Sequence, residues 1–126
     1  MGERILRSIR GATCAENTPE SITENVAELC GMLFSKNKLS ADDIVNIQFT
    51  LTPDLDEMNP AMALRKSDTG IDTSRIPLFT SQEAVIRGMP SKVVRVMVTA
   101  YMDASTPTSP AYINGAQVLR PDLASR

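Results

Sequence analysis

The chain has 126 residues, 42% of them hydrophobic, and a formal net charge of -2. That length suits one domain spanning residues 1–126 around one core, and the charge offers no basic field for nucleic acid or a membrane surface. There is no histidine, which removes the usual proton shuttle, the usual partner of a Ser or Cys nucleophile and the commonest transition-metal ligand.

Met1 to Gly11 lacks the continuous apolar stretch of a signal peptide, and no window approaches the ~20 apolar residues of a membrane span, so a cytoplasmic protein is expected. Arg4 to Ala12 is β-prone, with Gly11 able to bend the chain out of the sheet. Cys14 and Cys30 form neither a C-x-x-C pair nor a disulfide-dense pattern and read as free, buried thiols. Thr18-Pro19-Glu20 supplies an N-cap, a first-turn proline and a first-turn acid. Ile22, Val26, Leu29 and Leu33 follow at helical spacing, which predicts a helix over 18–36.

Ser40-Ala41-Asp42-Asp43 marks a short capped turn, and Ile44 to Thr52 a second strand closed by Pro53. Behind an Asn59-Pro60 start, Pro60 to Lys66 predicts a short helix, and polar Ser67 to Arg75 a surface loop. A brief strand is expected over Ile76 to Thr80 and a helical piece over Ser81 to Arg87, stopped by Gly88 and Pro90. Lys92 to Met102 predicts a strong strand, Asp103 to Pro110 a loop and Ala116 to Leu119 a last short strand. The fold class is therefore α/β (α+β): a single mixed sheet with helices on one face. Neither G-x-G-x-x-G nor G-x-x-x-x-G-K-[ST] occurs, so nucleotide binding has no motif behind it.

Within Val93-Val94-Arg95-Val96-Met97-Val98 both faces are apolar, which predicts a strand buried on both sides and Arg95 buried with it. A guanidinium there needs an anionic partner, either Glu83 as an internal ion pair or a bound ligand. Arg10 reads either as a solvated strand-end charge or as an anion ligand. Arg120 is satisfied either locally by Asp122 or by a ligand, and the Tyr112 hydroxyl either in the core or at a site. Nine of the thirteen cationic residues are arginine, which suits fork-like carboxylate recognition. These residues by themselves describe a domain able to bind a small anion.

Several strings occur together: Arg7-Ser8-Ile9-Arg10-Gly11-Ala12-Thr13, Thr52-Pro53-Asp54-Leu55 with Pro60-Ala61, Gln82-Glu83, Arg95-Val96-Met97, and Tyr112 before Val118-Leu119-Arg120-Pro121-Asp122-Leu123. In this order and spacing they resemble the AroH class of chorismate mutases from about Arg4 to Leu123. The resemblance implies a homotrimeric pseudo-α/β barrel with clefts between subunits. It also implies an isomerase that converts chorismate to prephenate in aromatic amino acid biosynthesis. The reaction is unimolecular and pericyclic and requires no cofactor, metal or proton shuttle, in keeping with a histidine-free chain.

By the same resemblance Arg95 meets the ether oxygen of the substrate, where negative charge grows in the transition state. Arg10 and Tyr112 hold carboxylates and Glu83 the ring hydroxyl. Leu78, Phe79 and Thr80 form a wall, with Thr80 near the same hydroxyl. Ala61 and Arg65 belong to the neighbouring subunit's side of the cleft, and Leu119 and Arg120 to its C-terminal flank. The chain departs from the family's Phe-Pro-Ala-Lys, carrying Asn59-Pro60-Ala61-Met62. A rival reading on the same architecture is a small-carboxylate-binding or imine-deaminase-like trimer.

Overall fold

The computed structural model describes residues 2–124. Its sheet has five strands: β1 (Arg4–Cys14), β2 (Ile44–Leu51), β3 (Leu78–Gln82), β4 (Val93–Asp103) and β5 (Ala111–Ile113), in the order β3-β2-β4-β1-β5. β4 is central and antiparallel to both β1 and β2, while β3 and β5 add in parallel at the two edges. The sheet is therefore mixed, as expected.

Period-two alternation sorts the two faces. Val94, Val96, Val98, Ala100 and Met102 of β4 are buried together with Ile9, Ile47 and Phe49. They meet two helices, α1 (Pro19–Lys36) and α2 (Pro60–Lys66). α1 presents Ile22, Val26, Leu29, Cys30, Leu33 and Phe34 to this core. Its N-terminus is capped by the Thr18 hydroxyl, which accepts the Ser21 N–H, with Pro19 in the first turn. Both helices thus start where the sequence predicts them.

The other face carries Leu6, Met97 and Tyr101, all exposed in the single chain. Near one end it is covered by a smaller cluster of Ala12, Val93, Tyr112 and Ala116, joined by Leu119 and Leu123. The last two belong to a 3-10 turn at Ala116–Leu119 and to a four-residue helix, α3 (Pro121–Ala124).

Four local expectations differ from the structure. Residues 83–92 form an irregular loop with no helix, since β-branched Val85 and Ile86 disfavour one and Gly88 adopts a positive φ of 88°. The last strand is Ala111–Ile113, and Ala116–Leu119 is helical because Gly115, at φ 99°, turns the chain off the sheet. β1 runs straight through Gly11. The glycine serves close packing, because a Cβ there would lie 2.8 Å from the Ala111 carbonyl oxygen. Cys30 is buried as expected, and burial pushes its thiol up to about 12, but Cys14 is only partly covered. No helix among the described residues is long and apolar enough to cross a membrane.

Candidate active site

The sheet register gathers the polar residues into a row. Tyr112 of β5 pairs with Ala12 of β1, Ala12 with Arg95 of β4, Arg95 with Thr50 of β2, and Thr50 with Ser81 of β3. One step along the face runs a second row: Arg10, Met97, Gln48 and Phe79. All lie on the face turned away from α1 and α2. All but the buried Ala12 line a hollow of about 330 Å³, joined by Glu83 just past the end of β3.

A second hollow of about 180 Å³ shares Glu83 and Arg95 with the first and is walled by Val85, Ile86, Met89 and Leu119. The Glu83–Arg95 pair therefore stands between a polar chamber and an apolar one. Val85 and Ile86 are exposed, so the apolar wall is open to solvent in the single chain.

Arg95 is not buried on both sides. Its side chain is 41% exposed, because the helices cover only the even-numbered face of β4 and leave the odd-numbered face as the floor of the hollow. Its Nε lies 3.6 Å from Glu83 Oε1, an ionic contact too long for a hydrogen bond. The internal pair exists, yet it leaves the guanidinium available to the hollow. The same Glu83 oxygen accepts a hydrogen bond from the Thr50 hydroxyl at 2.5 Å. The Glu83 N–H donates to the Leu51 carbonyl at 2.8 Å, which prolongs the β2–β3 ladder by one residue.

A clasp sets the position of Arg95. The Thr52 hydroxyl accepts the Val93 N–H at 3.1 Å, and the Asp54 carboxylate accepts the Lys92 N–H at 2.9 Å. This holds Lys92 at a positive φ of 58° immediately before β4. Slight burial acts to raise the Asp54 pKa, and hydrogen bonds from Thr52 and the Lys92 amide outweigh it, so the carboxyl sits below its usual range. The Thr-Pro-Asp string thus lines the smaller hollow and at the same time fastens the start of the strand that bears Arg95.

The remaining expected residues divide. Arg10, Phe79 and Tyr112 line the larger hollow, and Leu119 the smaller. Among the described residues, Arg10 has no protein partner for its charge. Arg120 is paired with Asp122, Nη2 to Oδ2 at 2.8 Å and Nε to Oδ1 at 3.1 Å. That pairing raises the Arg120 pKa and lowers that of Asp122, so the local alternative holds for Arg120 in this chain.

Ala61, Arg65, Leu78 and Thr80 line neither hollow. Leu78 and Ala61 pack against the main core. Arg65 donates to the carbonyls of Thr73 at 2.5 Å and Ile76 at 2.9 Å, tying down the loop that follows α2. The Thr80 hydroxyl donates at 2.8 Å to Asn59 Oδ1, the same oxygen that caps α2 by accepting the Ala61 N–H. Asn59 therefore has a structural task where the family's aromatic would stand.

Sequence reasoning missed Thr50, Gln48, Ser81 and the apolar wall of residues 85–89. The first two were signalled by alternation: Gln48 and Thr50 each follow a buried apolar residue of β2, Ile47 and Phe49. Their meaning depends on knowing which strand lies alongside.

Residues 6–123 match the family of chorismate mutase type I. The chain is 35% identical over 126 residues to a chorismate mutase AroH of Thermus thermophilus, covering 96% of this chain and 98% of that one. It is 32% identical over 121 residues to chorismate mutase AroH of Bacillus subtilis (strain 168), covering 94% and 93% respectively. Among solved structures, a chorismate mutase from Clostridium thermocellum superposes with a TM-score of 0.78 at 33% identity, over 89% of this chain and 98% of that one.

Proposed function

We propose a role for each side chain of the cleft from one premise: the chain belongs to the chorismate mutase type I family and, as an isomerase of that family, converts chorismate to prephenate. In this rearrangement the ether C–O bond breaks as a C–C bond forms within the same molecule. No group is transferred to the protein. Negative charge grows on the ether oxygen at the transition state, so a preorganised cation at that oxygen lowers the barrier more than it tightens substrate binding.

Arg95 supplies that cation. Arg10, beside it on β1, receives a substrate carboxylate, and Tyr112, at the β5 end of the row, receives the same or the second carboxylate. Glu83 accepts the ring hydroxyl. Phe79 and Leu119 flank the bound ring. The observation that carries this reading is the Arg95–Glu83 geometry: a cation and an anion 3.6 Å apart on an open hollow, each with hydrogen-bonding capacity left for a ligand bearing both carboxylates and a hydroxyl. A binder of simple carboxylates has no use for the acid, which disfavours the imine-deaminase-like alternative.

The cleft is completed by a second copy of the chain in a cytoplasmic homotrimer. Two features support this: the sheet face bearing Leu6, Met97 and Tyr101 is uncovered, and Ala61, Arg65, Leu78 and Thr80 sit on the α2–β3 edge, apart from their own chain's hollow. In this reading they act on the neighbour's cleft, while Arg120, beside Leu119 on the C-terminal flank, turns to the ligand once freed from Asp122.

The test is the loss of chorismate absorbance on adding purified protein, with light scattering on the same sample. Turnover by a trimer that declines on dilution is expected. Unchanged chorismate would overturn the activity, and a fully active monomer would overturn the shared cleft.

A further inference from the structure

Glu83 follows the last residue of β3 and opens the irregular stretch that runs to Lys92. Its backbone is fixed by one ladder bond to Leu51, and no regular element continues beyond it to set its side-chain rotamer. Arg95 lies one strand away with Nε at 3.6 Å. Left to Coulomb attraction, a carboxylate so placed would close on the guanidinium in a two-bond fork, the preferred geometry of such pairs. That fork would occupy both Glu83 oxygens and turn the Arg95 donors away from the hollow.

The Thr50 hydroxyl opposes this. It takes Oε1 at 2.5 Å, within the range of charge-assisted O–H···O contacts. Thr50 pairs directly with Arg95 in the β2–β4 register, so the oxygen is held over the central strand at a fixed depth. A β-branched side chain on a strand has few χ1 states, and the hydroxyl position is correspondingly defined. Both protein contacts fall on Oε1; among the described residues no donor reaches Oε2, the oxygen left to accept from a substrate.

We propose that Thr50 is a positioning residue for the reaction: its hydroxyl pins Glu83 so that one carboxylate oxygen faces the substrate and Arg95 stays unforked, with its donors aimed at the breaking bond. This rests on the mutase activity and on the place of Glu83 in it. Thr50 touches no reacting atom and acts through Glu83 and Arg95.

The experiment measures kcat, KM and the melting temperature of the full-length protein with Thr50→Val and Thr50→Ser. Valine keeps the shape and removes the hydroxyl; serine keeps the hydroxyl. Thr50→Val should lower kcat at least about 10-fold, the order expected for a hydrogen bond to a charged group, while KM moves less than about 3-fold because the substrate carboxylates still meet Arg10 and Tyr112. Thr50→Ser should recover kcat to within about 2-fold of wild type, and both variants should melt within about 3 °C of it. Wild-type kcat in Thr50→Val would overturn the proposal, as would a serine variant no better than valine or a rate loss that tracks loss of folded protein. A wild type that does not turn over chorismate would instead refute the activity itself.

Discussion

Ala12 and Arg95 face each other across the antiparallel β1–β4 pair, and the alanine, completely buried, lies at the same time opposite Tyr112 of β5. Its methyl group is thus the spacer between two side chains of the cleft. Ala12→Val adds two carbons where there is no room. Overpacking of this kind costs about 1–3 kcal/mol, and displacing a catalytic group by even ~1 Å costs about 10²-fold in rate. Activity should therefore fall far more than the melting temperature, read on one preparation; a variant that melts early but keeps wild-type turnover per folded molecule would contradict the spacer role.

Arg95→Gln should reduce kcat by at least roughly 10²-fold, as for other preorganised donors to a developing oxyanion, with a smaller change in KM. Its fold should survive, since the side chain is partly exposed and its pair with Glu83 is loose. Arg95→Lys should restore only part of the rate, because a point charge lacks the planar fork. Steady-state kinetics beside calorimetry decide the matter. A variant that unfolds, yet is normal when folded, would make Arg95 a packing residue.

Changing Asn59 and Met62 toward the family's Phe and Lys should have unlike effects. Asn59→Phe removes the cap of α2 and the acceptor for Thr80, at a cost of about 1 kcal/mol for the cap alone, so its melting temperature should drop. Met62 is 54% exposed, and Met62→Lys should leave stability unchanged and alter mainly KM. Thermal melts of the two single variants, with kinetics, test this directly.

The Asp54 clasp predicts a pH signature. Because the folded-state pKa is depressed, the carboxylate adds stability above its unfolded pKa of about 3.9, and that stability is lost as pH falls through the lower folded value. The melting temperature of Asp54→Asn should accordingly lie below wild type at neutral pH. The gap should close as the solution is taken below about pH 4. A gap that persists undiminished in strong acid would show that the charge plays no part.

Much of this was legible in the sequence because it was local. Thr18-Pro19 and Asn59-Pro60 open their helices where capping chemistry places them, and the apolar spacing of Ile22 to Leu33 fixes the buried side of α1. What was not legible was pairwise and non-local. Nothing near Thr50 announces that it lies across from Arg95, and the even spread of apolar residues around Arg95 concealed that helices cover only one side of β4. Residues 81–87 misled because their length suits a helix, whereas pairing of β3 with β2 claims the first two and β-branching spoils the rest. Thr52-Pro53-Asp54 carried only the family resemblance in the sequence, and its task as a fastening for the strand that bears the arginine depends on contacts across the fold.

β4 is laddered along both edges, to β1 over its whole length and to β2 over most of it, whereas the wall of the smaller hollow around Val85 and Ile86 has no ladder at all. Amide exchange should separate the two, with β4 amides opening only when the whole domain unfolds and those of residues 84–91 exchanging through local excursions. The cleft is therefore anchored to a doubly laddered strand on one side and to an unladdered loop on the other. Sequence drift in that wall is free to retune the shape of the pocket without loosening the strand that carries the charge, so selectivity and durability are able to diverge independently in descendants of this chain.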